Sequence, residues 1–314
     1  MTNHAFKIIK DGKTLDYRIP GQVSIPNIQN ELVNLGFENP KLQQRARHVI
    51  GTTEQNGEVY FVKIATSEGI SLMTQREAQW NNWFHETTRG NAPFLVPVTI
   101  ASGYLPNQLF YLVSSKVNGN LLIDYPNTDI SRITPNIENM VTMAVFIESL
   151  PVSNALPFAD TQGKTAQEKA LSKTIRWFEA IPDTIRKQFE LERLLNFVKD
   201  RYLELTPGPR HGDFTPWHMF ENGRELTLID GEHASTEGVK HYDLGYMAQR
   251  LFSVLKKPEL ADAFLTEALK QRSDQEQLRT IMAMRAIGGF LDESLTEKPD
   301  FSIHEQFARF LMTW

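Results

Sequence analysis

The segment HGDFTPWH places two histidines and an aspartate within eight residues, at His211, Asp213 and His218. A further aspartate, Asp230, ends the apolar segment LTLID. Carboxylate and imidazole groups act as general acids and bases, and both bind divalent metal ions. The four residues could therefore hold a metal ion or position a nucleophile, and their types and spacing leave both chemistries open.

A predicted hairpin brings part of this set together. In HMFENGRELTLID, Asn222 and Gly223 form a strong turn signal between two short apolar strands. His218 lies near the start of the first strand and Asp230 at the end of the second, so we expect the two side chains to converge at the open end. Asp213 lies in the loop that enters this hairpin.

A lysine in the segment EVYFVKIA is a second candidate. The alternation of a strand places Val59, Phe61 and Lys63 on one face, so that a cation shares a face with two apolar side chains. Two interpretations are open here. Lys63 either extends along an edge strand with its ammonium group in water, or it is buried for a functional reason.

A glutamate in MTQREAQWNNWFHE lies on the apolar side of a predicted helix. Helical spacing aligns Met73, Glu77, Trp80 and Phe84, and a carboxylate buried in that stripe needs a cation. Lys63, on the strand that precedes the helix, is the economical partner. The alternative is that Glu77 lies at the edge of the stripe and binds solvent.

The elements that position these residues change in type along the chain. Residues 1–118 are rich in strand patterns, with hairpin turns predicted at Asp11-Gly12 and Asn56-Gly57. In residues 119–314 helical spacing dominates, in NIENMVTMAVFIESL, TIRKQFELERLLNFVKDRYLEL and KHYDLGYMAQRLFSVLKK. We therefore predict an α+β protein with a β-rich domain over 1–118 and a helical domain over 119–314.

The charge and composition of the chain restrict the classes of partner that it could bind. The net charge of −5 argues against nucleic acid and anionic membranes, which attract a clustered surplus of Lys and Arg. The chain contains no cysteine, no apolar run of membrane-spanning length and no signal-peptide pattern near its start, so we expect a cytoplasmic location. Residues 1–118 carry 11 Lys and Arg against 9 Asp and Glu, and residues 119–314 carry 22 against 29.

Taken together and in this order, the motifs HGDFTPWH, LIDGEHAS and HYDLGYMAQR, with Lys63 and Glu77, resemble those of the aminoglycoside phosphotransferase and choline kinase superfamily. The resemblance extends from about residue 45 to 250. It implies a protein-kinase-like bilobal fold, with a small β-rich N-lobe and a larger helical C-lobe. It also implies transfer of a phosphoryl group from ATP to a small molecule, with Mg²⁺.

The resemblance assigns roles residue by residue. Asp213 takes the place of the catalytic aspartate that accepts or orients the proton of the acceptor hydroxyl. Asp230 takes the place of the magnesium ligand. Lys63 would bind the nucleotide phosphates, and Glu77 would hold Lys63.

The resemblance also implies roles in binding adenine and in fixing the catalytic loop. The segment LFYLVSSKVNGNLL resembles the hinge, in which the Ser115 carbonyl and the Val117 amide would face adenine. Phe61 matches a position where an aromatic ring stacks on adenine, and packing in the core is the open alternative. His211 would have a structural role in the catalytic loop, and Asp243 would anchor that loop.

Two departures from the superfamily pattern affect activity. His218 stands where the superfamily has asparagine, and neutral imidazole suits Mn²⁺, Zn²⁺ or Fe²⁺ better than Mg²⁺. The loop over the phosphates, GFENPKLQQRARHV, has only Gly36, so Lys41, Arg45 or Arg47 would supply charge in place of a glycine-rich cradle.

Three functional hypotheses follow. The first is an ATP-dependent kinase of a hydroxyl-bearing small molecule, for which the acidic second part of the chain favours a cationic amino-sugar or amino-alcohol. The second is a pseudokinase that binds a nucleotide or metabolite, indicated by His218 and the glycine-poor loop. The third is a metal hydrolase with ligands among His211, Asp213, His218, Asp230 and His233. The order of the motifs favours the first.

Overall fold

The computed structural model describes residues 6–126, 129–157, 163–271 and 273–314. Within these ranges the chain forms two compact units. The first contains Phe6–Asn120 and Phe220–Ala234, and the second contains Leu121–Met219 and Ser235–Trp314. The segment that carries Asp230 therefore returns to the first unit, although it lies about a hundred residues beyond the rest of that unit in the sequence.

Most strands belong to the first unit. Its elements in chain order are β1 Lys7–Lys10, β2 Lys13–Asp16, α1 Ile25–Asn34, β3 Glu38–Arg45, β4 His48–Gln55, β5 Glu58–Ala65, α2 Glu68–Thr88, β6 Thr99–Tyr104 and β7 Phe110–Ser115. Strands β3 to β7 form an antiparallel sheet in the order β3-β4-β5-β7-β6. Three short strands, β8 Asn120–Leu121, β9 Met219–Asn222 and β10 Glu225–Leu228, form another sheet in the order β10-β9-β8.

The predicted hairpins are confirmed. Strands β1 and β2 pair across Asp11-Gly12, and β4 and β5 pair across Asn56-Gly57. Asn56 and Gly57 both have positive φ, at 53° and 83°, which is the backbone that a tight two-residue hairpin turn requires. The third predicted turn, between β9 and β10, lies at Gly223, with φ 66°.

Helix α1 is an element that strand patterns alone do not predict. Ile28 and Leu32 lie one turn apart and are buried against the sheet, in a core with Phe37, Val49 and Val62. The sequence did carry a start signal, because the Ser24 side chain caps the helix and Pro26 lies in its first turn.

The second unit is helical. Its helices are α3 Ile137–Ser149, α4 Ala166–Ala180, α5 Asp183–Gln188, α6 Leu191–Arg201, α7 Tyr242–Gln249, α8 Pro258–Lys270, α9 Gln275–Ser294 and α10 Ser302–Thr313. Helix α9 is buried along most of its length and packs against α4, α6, α7 and α10. Glu190, at φ 50°, separates α5 from α6, so this segment, which helical spacing marks as one stretch, forms two helices. In the described ranges, none of the helices has the length and apolar character needed to cross a bilayer.

The returning segment attaches to the first unit through main-chain and side-chain contacts. Leu95 exchanges backbone hydrogen bonds with the β10 segment, donating to Leu226 at 2.8 Å and accepting from Leu228 at 2.8 Å. Gly231 lies against the indole of Trp80 on α2, so closely that a Cβ atom would come within 2.2 Å of Trp80 Cδ1. A residue without a side chain is therefore required where this segment meets α2.

We predict that Gly231→Ala lowers the free energy of unfolding by about 2–3 kcal/mol, because the buried indole has no room to move. Urea denaturation checks this value. Gly90→Ala is the control, since Gly90 has φ 79° with open space around it and should lose only about 1 kcal/mol from backbone strain. Equal losses in the two variants would contradict close packing at Gly231.

Candidate functional site

A cavity of about 310 Å³ lies in the first unit. This volume is at the lower end of the range of small-molecule sites, roughly 300–1,000 Å³. The residues that line the cavity are Ile50, Thr52, Phe61, Lys63, Glu77, Pro97, Ser114, Ser115, Lys116, Val117, Phe220, Ile229 and Asp230. Six of these thirteen, Phe61, Lys63, Glu77, Ser115, Val117 and Asp230, are site residues predicted from the sequence.

Lys63 forms two ion pairs in this cavity. Its Nζ donates to Glu77 Oε2 at 2.6 Å and to Asp230 Oδ1 at 2.5 Å. Lys63 and Glu77 are each 7% exposed, and β5 is an interior strand of the sheet. The expected pairing of Lys63 with Glu77 is confirmed, and the alternatives of an edge-strand lysine and a solvated glutamate are wrong.

The two carboxylates control the charge state of the lysine. Burial by itself lowers the pKa of Lys63, because a low-dielectric interior disfavours the ammonium ion. The charges of Asp230 and Glu77, and their hydrogen bonds, outweigh this effect and hold the pKa of Lys63 above its ordinary value. Lys63 is therefore a fixed positive charge in the wall of the cavity.

Asp230 owes its position to an unusual backbone conformation. It directly follows Ile229 at the end of the hairpin and has φ 66°, in the left-handed region that Asp tolerates better than most residues. Gly231 then packs on Trp80 as described above. The sequence Asp-Gly thus turns the chain sharply while the carboxylate points to Lys63.

Glu232 is a further acid near Lys63 whose contacts sequence reasoning missed. It is fully buried and pairs with Arg47, and its Oε2 lies 3.7 Å from Lys63 Nζ and 4.0 Å from His48 Nε2. Within the described residues, Oε2 has no hydrogen-bond partner. Its position two residues after Asp230, in the LIDGE motif, was the available signal.

The glycine-poor loop is a tight turn between β3 and β4. Ala46 has φ 47°, and Arg47 donates to the Tyr17 carbonyl at 3.1 Å and to the Glu232 carboxylate. Of the three cations considered as charge donors, Arg47 is therefore committed to Glu232, while Lys41 and Arg45 are exposed on β3.

The predicted hinge segment also lines the cavity, through Ser115 and Val117. The Ser115 amide donates to the Val98 carbonyl at 2.8 Å, and the Val98 amide donates to Ser115 Oγ at 2.9 Å, which fixes the end of β7. Gly119, at φ 101°, passes so close to the Glu221 carbonyl that a Cβ atom would be 2.2 Å from it. Phe61 is half-buried and faces the cavity.

The loop 211–218 lies in the second unit and is anchored by α7. Asp243 accepts hydrogen bonds from the backbone amides of His211 at 2.6 Å and Gly212 at 2.8 Å. The predicted anchoring role of Asp243 is therefore confirmed. His211 is completely buried, with its ring edge-on to Phe214, in agreement with a structural role.

Asp213 is held by a residue that the sequence motifs did not indicate. The Tyr246 hydroxyl donates to Asp213 Oδ1 at 2.6 Å, and Asp213 Oδ2 lies 3.7 Å from His218 Nδ1. His218 Nδ1 also lies 3.0 Å from the Asp213 carbonyl oxygen. Because a carbonyl only accepts, Nδ1 donates in this contact.

Two acids of the first unit have the donor type that a hard divalent cation prefers. Asp230 and Glu232 offer carboxylate oxygens, the ligands that Mg²⁺ prefers, and Glu232 Oε2 is a buried acceptor without a hydrogen bond in the described part of the chain. His233 Nε2 lies 3.5 Å from Glu232 Oε1, and its ring packs edge-on against Tyr17.

Known structures share this fold, although no protein-family model and no curated protein sequence matches the chain. A ternary complex of a thermostable mutant of aminoglycoside phosphotransferase APH(4)-Ia with ADP and hygromycin B is 12% identical and covers 91% of this chain and 98% of its own, with a TM-score of 0.67. Amicoumacin kinase hAmiN with AMP-PNP, Ca²⁺ and Ami is 13% identical, with 92% of both chains covered and a TM-score of 0.59.

A GDP complex of aminoglycoside 2′-phosphotransferase-IIIa is 14% identical and covers 91% of this chain and 95% of its own, with a TM-score of 0.56. At these identities the likeness establishes the fold. The predicted α+β, protein-kinase-like fold is thereby confirmed.

The buried His48 provides a test of the electrostatics around Lys63. Burial, together with the charges of Lys63 and Arg47, lowers the pKa of His48 to about 2, with Asp230 opposing. Because the unfolded state binds a proton near pH 6.5 and the folded state does not, the free energy of unfolding should fall as the pH drops below 6.5. The expected slope is about 1.4 kcal/mol per pH unit for this one group.

We predict that His48→Gln removes this contribution. Between pH 6 and 4, the free energy of unfolding in urea should therefore depend less steeply on pH in the variant than in the wild type. Above pH 7 the two proteins should give parallel curves, which serves as the internal control. The same slope in both proteins across the acid range would show that His48 takes up a proton in the folded state.

Proposed function

We propose that the protein is an ATP-dependent phosphotransferase that acts on a hydroxyl group of a small molecule. The observation that carries this proposal is the buried Lys63, paired with Glu77 and Asp230 in the wall of a cavity that apolar side chains also line. A cavity that combines apolar side chains with a fixed cation suits a nucleotide, which has a flat base and a charged phosphate chain.

In this proposal the base lies between apolar side chains and the hinge. Phe61 stacks on adenine, and the Ser115 carbonyl and Val117 amide hydrogen-bond to its edge. The position of all three in the cavity lining supports this assignment. Lys63 binds the phosphates, and Glu77 keeps the ammonium group oriented, so that the cation is in place before the nucleotide arrives.

Asp230 would hold Mg²⁺, with Glu232 as a neighbouring oxygen donor and His218 Nε2 as a softer ligand that extends the choice to Mn²⁺. When bound, the metal neutralises charge on the transferred phosphoryl group. The AMP-PNP and Ca²⁺ in the amicoumacin kinase complex support a nucleotide with a divalent ion for this fold. The carboxylate-rich surroundings of Lys63 leave a net negative charge for such an ion to balance.

Asp213 is the proposed base. It accepts the proton of the acceptor hydroxyl as the acceptor oxygen bonds to the γ-phosphorus and the bond from that phosphorus to the β-phosphate oxygen breaks, releasing ADP. Its main chain is fixed through Asp243, which holds the two preceding amides. His218 donates to the Asp213 carbonyl and thereby ties the far end of the loop to the same residue.

For the acceptor we propose a cationic amino-sugar or amino-alcohol. The surplus of acids in residues 119–314 supports this class, since it attracts cations. Hygromycin B in the complex with aminoglycoside phosphotransferase APH(4)-Ia supports it as well.

A pseudokinase is the second candidate, favoured by one observation. Arg47, in the turn where a phosphate loop is expected, is bound to Glu232 and Tyr17, and the turn has no glycine. Such a protein would bind nucleotide without consuming it. The hydrolase hypothesis is disfavoured because His211, one of its five proposed ligands, is completely buried.

We predict that Lys63→Met weakens binding of ATP with Mg²⁺ by about tenfold to a hundredfold, the loss expected for a charge-assisted contact to phosphate. Isothermal titration measures the affinity. Lys13→Met, an exposed lysine on the β1–β2 hairpin, is the matched control and should bind like the wild type. A folded Lys63→Met protein with wild-type affinity would exclude the phosphate role.

We predict that Asp213→Asn lowers turnover of ATP by about 10²-fold or more while leaving ATP affinity within a factor of about two. Turnover is measured with Mg²⁺ and with Mn²⁺, using a panel of amino-sugars and amino-alcohols. Asp200→Asn, an exposed acid on α6, is the control. A wild type that binds ATP but consumes none with any metal or acceptor would favour the pseudokinase instead.

A further inference from the structure

Three polar side chains of the second unit, Tyr246, Arg250 and Asp292, form a line of hydrogen bonds that begins at Asp213. The Tyr246 hydroxyl donates to Asp213 Oδ1 at 2.6 Å. Arg250 Nη2 donates to the Tyr246 oxygen at 2.8 Å and to Asp292 Oδ2 at 3.1 Å. The phenol is thus both donor and acceptor, and a guanidinium that donates to its oxygen strengthens its own donation to the carboxylate.

Helix α7 and its continuation supply most of this arrangement. Asp243, Tyr246 and Arg250 are spaced three and four residues apart, which places them on one face. Asp243 holds the main chain of the loop through the amides of His211 and Gly212, whereas Tyr246 holds the side chain of the next residue. One helix face therefore fixes three consecutive loop residues.

The residues around Tyr246 keep its hydroxyl group protonated, so that it can donate a hydrogen bond. Its ring is buried, stacked on Tyr242 at 6.1 Å between centroids, with the Arg285 guanidinium 4.3 Å from its centre. Burial raises the pKa of Tyr246, and the negative charge of Asp213 raises it further, against the opposing effect of Arg250. The hydroxyl proton therefore stays on the phenol at physiological pH.

We propose that Tyr246 is the positioning residue for Asp213. By holding Oδ1 it keeps the carboxylate in a single orientation towards the acceptor hydroxyl, and Arg250 with Asp292 keeps the phenol in place. The benefit is that orientation is fixed before substrate binds, so no rotamer has to be selected during the reaction. This role rests on the proposed phosphotransferase function, in which Asp213 is the base.

Tyr246 also has packing contacts, and the test must separate them from positioning. Tyr246→Phe keeps the ring, its stack on Tyr242 and the contact with Arg285, and removes only the hydroxyl. Tyr242→Phe is the matched control, because it removes a buried hydroxyl one turn earlier on the same helix, one that contacts Arg285 at 3.4 Å rather than Asp213.

The kinetic experiment is a double-mutant cycle on ATP turnover. We expect Tyr246→Phe to lower kcat about tenfold with an unchanged KM for ATP, and to have no further effect in an Asp213→Ala background. Tyr242→Phe should leave kcat within a factor of about two in both backgrounds. A similar loss from Tyr246→Phe with and without the Asp213 carboxylate would assign Tyr246 a general structural role and overturn the proposal.

The same four proteins give a readout that needs no activity. If the hydroxyl acts on the carboxylate, Tyr246→Phe shifts the urea midpoint by different amounts in the wild-type and Asp213→Ala backgrounds. Equal shifts would overturn the coupling of Tyr246 to Asp213 whatever the reaction is. A wild type without ATP turnover, but with unequal shifts, would instead overturn the phosphotransferase proposal and the catalytic role derived from it.

Discussion

Lys63 carries its positive charge in the interior of the first unit, where an ion without partners would be strongly destabilising. Its two contacts come from different parts of the chain, Glu77 from helix α2 and Asp230 from the segment after β10. The strand, the helix and a segment far along the sequence are thus tied to one ammonium group. Because that group also lines the cavity, the interaction that holds these elements together also places a fixed positive charge in the cavity wall.

A second ion pair, between Arg47 and Glu232, lies beside the ion pairs of Lys63 and constrains the turn between β3 and β4. Three carboxylates face Lys63, with Glu232 the most deeply buried, and Arg47 supplies the additional positive charge. Arg47 can reach Glu232 because the β3–β4 connection is a short turn. A long glycine-rich loop would offer backbone amides to phosphates but no such cation. The short turn thus provides a cation paired with Glu232 where a glycine-rich loop would provide backbone amides, and the proposed function has to operate with that arrangement.

Much of the site followed from sequence because its signals are local. Alternation placed Lys63 beside Phe61 on one strand face, helical spacing placed Glu77 in an apolar stripe, and the cost of a buried charge joined the two. The hairpins followed from Asn-Gly and Asp-Gly turns, whose positive φ few other residues tolerate. Helix α1 was hidden by the surrounding strand patterns, although the Ser24 cap marked its start.

The sequence by itself determined most of the helices and strands and the order of the motifs, because periodicity and turn chemistry depend on neighbours along the chain. Only the tertiary structure decided which distant side chains meet. That Arg47 pairs with Glu232, and that Tyr246 rather than another polar residue of α7 reaches Asp213, depend on how strands, loops and helices pack over long sequence separations. Such contacts are set by burial and by the need to satisfy every buried polar group, and both are properties of the folded chain as a whole.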